Sequence, residues 1–352
     1  MASVKDFEVL STVGFGAFGK CQKILRKSDG KILAWKVVHT RKMRESLKNR
    51  IIQEVNLLKE LDHPNIVQYV DHFIEKNKVY VVMEYCEGGD LASLIKCCIK
   101  KSLFLPEELI LQVLEQLTSA PEHCHRHPDG SVVLHQDIKP ANVFFDYDLN
   151  VKLGDFGLAD ILPTRNDYVK TQSGTLHCMC LVSPFSWTLA SGSFPIQACE
   201  EKLNKTFYHE KSIWSLGCLI YELCALKPLF PGDAGKCLIN RVNPGKVKRI
   251  PSRYSDQLNS LNGDILHVLD FLRPSTEEIL HSSLLTQQKQ RTGGSAHHLL
   301  APMTAADIRP REPQEMPPKA QKRRLDVEQH QPRKQRRKSG AGPDILLDID
   351  FH

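Results

Sequence analysis

Hydrophobic and polar positions alternate with a period of two at the start of the chain and shift to a helical period further on. Phe7 to Val13 read as a strand running into Gly14, Gly16 and Gly19, and Cys21 to Leu25 alternate as a second strand before a Ser28-Asp29-Gly30 turn. Ile32 to Val38 is an apolar run with one lysine, Lys36, in its middle, the pattern of a strand buried on both faces. Leu47, Ile51, Ile52, Val55 and Leu58 then recur at helical spacing between Ser46 and Leu61, and Pro64 ends that helix. Val79 to Cys86 predicts a central strand that leaves through Glu87-Gly88-Gly89 into a helix capped by Asp90. Pro106-Glu107-Glu108 opens a further helix through Leu117, and Pro121 falls where that helix is expected to be running still, at a cost of ~3 kcal/mol or a kink. Ile213 to Leu226 is apolar on nearly every side and predicts a buried axial helix. A strand-rich first part followed by helices defines an α+β chain.

Composition narrows the class. The chain has 352 residues, 41% hydrophobic and 25% charged, enough to bury a large core and a length expected of about two domains. Eleven cysteines, an odd number at irregular spacings with no apolar signal segment ahead of Phe7, read as reduced intracellular thiols rather than a disulfide framework. No run approaches the ~20 apolar residues of a membrane span, so no membrane partner is expected. The net charge of +6 is concentrated late, in a segment with thirteen Lys/Arg from Lys289 to Lys338 against eight Asp/Glu from Asp307 to Asp350.

Candidate chemistry gathers between Leu134 and Asp160, where two polar loops flank a short apolar hairpin. His135-Gln136-Asp137 is followed by Lys139 and Asn142, then by Asp155-Phe156-Gly157. The glycines at 14, 16 and 19 match a spacing shared with dinucleotide-binding folds, but those need a helix directly after the glycines and here a strand follows. His123, Cys124, His125 and His127 lie too close in sequence, with no second ligand pair, to make a zinc site.

Together these segments resemble the eukaryotic protein kinases. The resemblance implies a two-lobe fold: a small β-rich N-lobe over 7–86, a larger helical C-lobe over 87–285, and a basic tail at 286–352 that its Gln, Pro, Arg and Lys content predicts to be disordered. It implies that Asp137 accepts a substrate hydroxyl proton, Lys139 steadies the transferring phosphoryl group, and Asn142 and Asp155 hold Mg²⁺. Lys36 grips the ATP phosphates and pairs with Glu54, whose alternative is a solvated helix charge. The nucleotide is received by Gly14, Phe15, Gly16 and Gly19 of the covering loop, by Cys21, Ala34 and Phe144, and by the hinge at Met83, Glu84 and Cys86. Arg26 to Leu33, Glu54 to Leu58, Met83 to Leu91, Ala141 to Phe144, Trp214 to Cys218 and Tyr221 to Leu226 are similar to the NIMA-related kinases, in particular to a centrosomal member. That resemblance implies transfer to serine and threonine of protein substrates, a cell-cycle role, and residence in nucleus, cytoplasm or centrosome.

The chain departs from the family pattern in three places. Gln136 replaces an arginine that pairs with a phosphorylated loop residue, and a neutral amide makes no charge-assisted bond to phosphate. Residues 176–211 form an atypical insertion, with Phe185 where a glutamate partner of Arg273 is expected. Ser212 replaces an aspartate that braces the catalytic loop. Nucleotide positions survive while bracing positions change, so a nucleotide-binding pseudokinase scaffold stands as the alternative to an active enzyme. In the tail, Lys322-Arg323-Arg324 and, after a gap, Lys334 with Arg336-Arg337-Lys338 resemble a bipartite signal for a nuclear import receptor, with nucleic-acid affinity as the competing reading. No heptad repeat predicts a dimerising coiled coil.

Overall fold

The structure, a computed structural model, describes residues 2–15, 19–40, 51, 55–125, 132–156, 159–162, 209–230, 248–267 and 272–291. The chain divides into two units, Met1–Glu312 and Pro313–His352, and all of these residues belong to the first.

The leading strands make a five-stranded antiparallel sheet: β1 (Phe7–Phe15), β2 (Gly19–Arg26), β3 (Ile32–His39), β4 (Tyr69–Glu75) and β5 (Lys78–Glu84), in the order β1-β2-β3-β5-β4. The β2–β3 turn closes as its residue types require, because Gly30 takes φ +69° and its N–H donates to the Arg26 carbonyl at 2.9 Å. The β4–β5 hairpin turns through Lys76 and Asn77, both with positive φ, without a glycine. One face of the sheet buries Ile24, Leu33, Trp35, Val37 and Val82 in a small core. The rings of Phe7, Trp35, Phe73 and Tyr80 meet there at centroid separations of 4.9 to 6.3 Å. Alternation sends Val38, Val79 and Val81 to the other face, where they join the main core with Ile51, Val55, Leu57, Leu58 and Leu61.

Gly19 shows why this sheet needs a residue without a side chain at its corner. A Cβ there would lie 2.0 Å from the Val37 carbonyl oxygen, a backbone atom that cannot swing away. Gly19→Ala is therefore expected to force β2 from β3 and cost roughly 1–3 kcal/mol, read as a lower denaturant midpoint with an unchanged m-value.

The helical part carries α1 (Leu91–Lys101), α2 (Glu107–His125), α3 (His209–Ala225), α4 (Asp256–Ile265), α5 (Thr276–Leu280) and α6 (Ser283–Arg291). Asp90 caps α1 as its sequence implies, accepting from Ser93 N at 2.9 Å. The helix α2 runs on through Pro121 rather than ending there: Leu117, Ala120, Pro121 and Cys124 are all buried, and that burial outweighs the lost hydrogen bond. The apolar helix expected from Ile213 is α3, with Ile213, Trp214, Leu216, Leu219, Ile220 and Leu223 in the core, ending where Leu226 turns to φ +54°. Its Gly217 lies so close to α4 that a Cβ would meet Ile265 and Leu266 at 2.6 and 2.7 Å. Among the described residues no helix is long and apolar enough to cross a membrane. Helical structure extends to Arg291, beyond the position 286 at which composition begins the tail; Leu285 is fully buried, Gln288 is 8% exposed, and Lys289 reaches Glu115 at 3.1 Å.

Candidate active site

Short strands set the two polar loops side by side. β7 (Val132–Leu134) leads into His135-Gln136-Asp137, while β8 (Val143–Phe145) and β9 (Val151–Leu153) form the hairpin that ends at Gly154-Asp155. β10 (Asp160–Leu162) returns beside β7, with Asp160 opposite Leu134. Both loops turn sharply on residues other than glycine: Gln136 has φ +60° and Asp155 φ +59°. Left-handed backbone costs on the order of 1–2 kcal/mol per residue, so the surrounding bonds must hold these turns.

Those bonds centre on two side chains. The buried His135 accepts from Asp137 N at its Nδ1, at 3.2 Å, and its Nε2 lies 2.8 Å from the Gly154 carbonyl. Since Nδ1 accepts, the proton sits on Nε2 and is donated to Gly154, so one neutral ring ties the two loops together. Phe156 packs edge-on to that ring at 4.6 Å and is 1% exposed. Asn142 then ties the loops a second time: its Nδ2 donates to the Asp137 carbonyl at 2.9 Å and to Asp137 Oδ2 at 2.8 Å, and its backbone carbonyl accepts from Gly154 N at 2.9 Å. Lys139 Nζ reaches the same Oδ2 at 2.7 Å. Asp137 is thus a buried carboxylate with an ammonium and an amide on one oxygen.

From the sheet, Lys36 Nζ spans to Asp155 Oδ1 at 3.0 Å. Burial pushes the Asp155 carboxyl up, but the charge and hydrogen bond of Lys36 outweigh it and the net shift is downward. The expected Lys36 partner, Glu54, lies outside the described residues, as does Gly16.

Other expected nucleotide positions converge by strand register. Cys21 lies opposite both Gly14 and Lys36, and Ala34 lies opposite Met83. Phe15 closes β1. Glu84 ends β5, Cys86 follows in the connection to β6 (Gly89–Asp90), and burial pushes its thiol up. Phe144 lies on β8, so near Gly154 that a Cβ on that glycine would meet its ring at 3.0 Å. Of the departures, Arg273 is buried, its Nε donating to the His267 carbonyl at 2.8 Å and its guanidinium 4.8 Å from the Trp214 ring. Ser212 is buried on α3, and Phe185 and the insertion lie outside the described residues.

Sequence reasoning assigned no part to Asn65, whose Nδ2 donates to the Val151 carbonyl at 2.9 Å, or to Lys152, which meets Glu84 at 3.0 Å. The one local signal was Lys152 between two apolar residues of a short strand, which marks an outward position but not its partner. His63 has a similar structural role, accepting from Asn65 N at Nδ1 and lying 3.1 Å from the Ser119 hydroxyl. Burial, with smaller effects from His123 and Lys152, lowers its pKa to about 4. Burial lowers that of His135 too. In both cases the unfolded chain takes up protons first, so the stability owed to the neutral rings is full above the unfolded value of about 6.5 and is lost as pH falls below it. The expected result is a denaturation midpoint that falls between pH 6.5 and 5, above the carboxylate range, with a shallower slope in His63→Gln.

The site thus holds an ammonium and an amide on one oxygen of a buried carboxylate, and a second carboxylate paired with a lysine from the sheet. The protein kinase domain family matches residues 7–285, and the chain belongs to that family. Its relatives are NIMA-related kinases. It is 50% identical over 285 residues to the serine/threonine-protein kinase Nek2 of Homo sapiens, covering 80% of this chain and 60% of that one. It is 39% identical over 284 residues to the probable serine/threonine-protein kinase nek2 of Dictyostelium discoideum, covering 80% and 63%, and 32% identical over 310 residues to the G2-specific protein kinase nimA of Emericella nidulans, covering 81% and 42%. The chain thus spans about 60% of the length of the first of these relatives.

Proposed function

We propose that this chain is a serine/threonine protein kinase of the NIMA-related type, passing the γ-phosphate of ATP to hydroxyls of protein substrates. The observation that carries the reading is the convergence of Lys139 and Asn142 on one oxygen of Asp137, beside the Lys36–Asp155 pair. In the reaction the substrate hydroxyl oxygen bonds to the γ-phosphorus, the bond from phosphorus to the ADP oxygen breaks, and the hydroxyl proton passes to the Asp137 carboxylate. Lys139, within 2.7 Å of that carboxylate, places positive charge where phosphoryl oxygens gather negative charge. Lys36 turns from Asp155 toward the α- and β-phosphates, and the hinge from Met83 to Cys86 receives the adenine.

The donor set fits Mg²⁺. Asp155 supplies a carboxylate kept ionised by Lys36, and the Asn142 side chain bonds Asp137 through Nδ2, which leaves those bonds off its amide oxygen. Bound there, Mg²⁺ neutralises phosphate charge. The similarity to the G2-specific protein kinase nimA supports a cell-cycle role; residence at the centrosome or in nucleus and cytoplasm belongs to the same proposal, and the basic tail at 322–338 is the proposed handle for a nuclear import receptor.

The test is phosphate transfer by the purified full chain to a generic serine- and threonine-containing substrate with ATP and Mg²⁺. Phosphoserine or phosphothreonine well above an Asp137→Asn control is expected. Transfer equal to that control, together with ATP-dependent thermal stabilisation, would replace the enzyme by a nucleotide-binding scaffold.

A further inference from the structure

The hinge and the strand that carries Asp155 are joined by a closed ring of bonds. Glu84, the last residue of β5, gives its N–H to the Gln68 carbonyl at 3.0 Å, and its Oε1 accepts from Gln68 N at 2.7 Å. The same Oε1 faces Lys152 Nζ at 3.0 Å, with the Lys152 and Glu84 side chains 13% and 22% exposed. Lys152 is the middle residue of β9, three positions before Asp155 and opposite Phe144 in register. The segment after His63 closes the ring, since Val67 N donates to the Leu153 carbonyl at 2.9 Å and Leu153 N to the Asn65 carbonyl at 2.8 Å. One carboxylate therefore fastens both arms: β4 through Gln68 and β9 through Lys152.

Resting on the kinase reading above, we infer that Glu84–Lys152 is a positioning pair for nucleotide binding. It holds the hinge at a set distance from Asp155, so that adenine at one end and the cation-bearing phosphates at the other are gripped together. A pair needed only for folding would act on stability alone. A pair that sets a span acts on ligands long enough to touch both ends. Little of its strength is lost to solvent, because both side chains are mostly covered.

The test compares Lys152→Met, which keeps the stem and removes the charge, with Lys152→Arg, which keeps it. For Lys152→Met we expect KM for ATP and Kd for MgATP to rise about fivefold, with kcat within about twofold of the original. Adenosine, which spans only the hinge end, is expected to bind within about twofold of its original Kd. Lys152→Arg should bring MgATP binding back to within about twofold of the unsubstituted chain, and Tm should move by no more than about 2 °C in either variant. Unchanged MgATP affinity in Lys152→Met overturns the inference, as does an equal loss for adenosine and MgATP, or a loss that follows Tm and is not restored by arginine. The kinase reading fails separately, if the unsubstituted chain transfers no phosphate.

Discussion

Asp137→Asn is expected to lower phosphate transfer by about 10²- to 10⁴-fold while leaving ATP-dependent thermal stabilisation in place. The carboxylate is buried at 6% exposure and takes Lys139 Nζ and Asn142 Nδ2 on one oxygen. An asparagine oxygen can still accept from both, so the loops stay closed, but an amide cannot take up a proton from the substrate hydroxyl. The nucleotide grip proposed above, spread over Lys36, Asp155 and the hinge, does not include that atom. The measurement is initial-rate transfer beside a thermal-shift titration with MgATP. Loss of both signals together would mean that the substitution had unfolded the site, and Asp137→Glu, which keeps the charge and shifts it by one methylene, would then separate geometry from basicity.

The second large effect lies away from the chemistry. Trp214→Ala is expected to destabilise the domain by roughly 3–5 kcal/mol, because the ring, in the first half of α3, is 1% exposed and its removal leaves a large cavity. It stacks on Phe230 with centroids 6.2 Å apart and planes at 4°, and carries the Arg273 guanidinium at 4.8 Å, so its loss also uncovers a buried cation. Trp214→Phe is expected to cost much less. The indole Nε1 is buried without a hydrogen-bond partner, so replacing it removes an unmet donor along with some volume. Equilibrium urea denaturation of the three proteins, compared by midpoint, checks the order.

Both effects follow from features of unequal legibility. The axial helix was readable because Ile213 to Leu226 is apolar all round, a pattern that no exposed element tolerates. The cap at Asp90 and the turn at Gly30 were readable because each obeys a local steric or hydrogen-bonding rule. Strand β4 was not, since its residues are half-buried and mixed in polarity and its turn at Lys76-Asn77 has positive φ with no glycine to mark it. The helix to Arg291 was hidden in a Gln-rich stretch whose main anchor is Leu285. Lys36 illustrates the limit most plainly: its ion pair with Asp155 joins groups 119 positions apart, a separation that no local pattern reports.

The sequence by itself determined the chemical inventory: which carboxylates, amides and lysines exist, at what spacing, and on which loops, because local propensity and motif spacing are properties of short stretches of chain. Only the tertiary structure decided how those groups share atoms. That Lys139 and Asn142 meet on one oxygen of Asp137, that a neutral His135 ties that loop to Gly154, and that Glu84 and Lys152 join the end of β5 to the Asp155 strand are all consequences of packing β7, β8 and β9 against α1, α2 and one another. Hydrogen bonds act over about 3 Å, a distance that chain spacing does not encode and that burial of the surrounding core imposes.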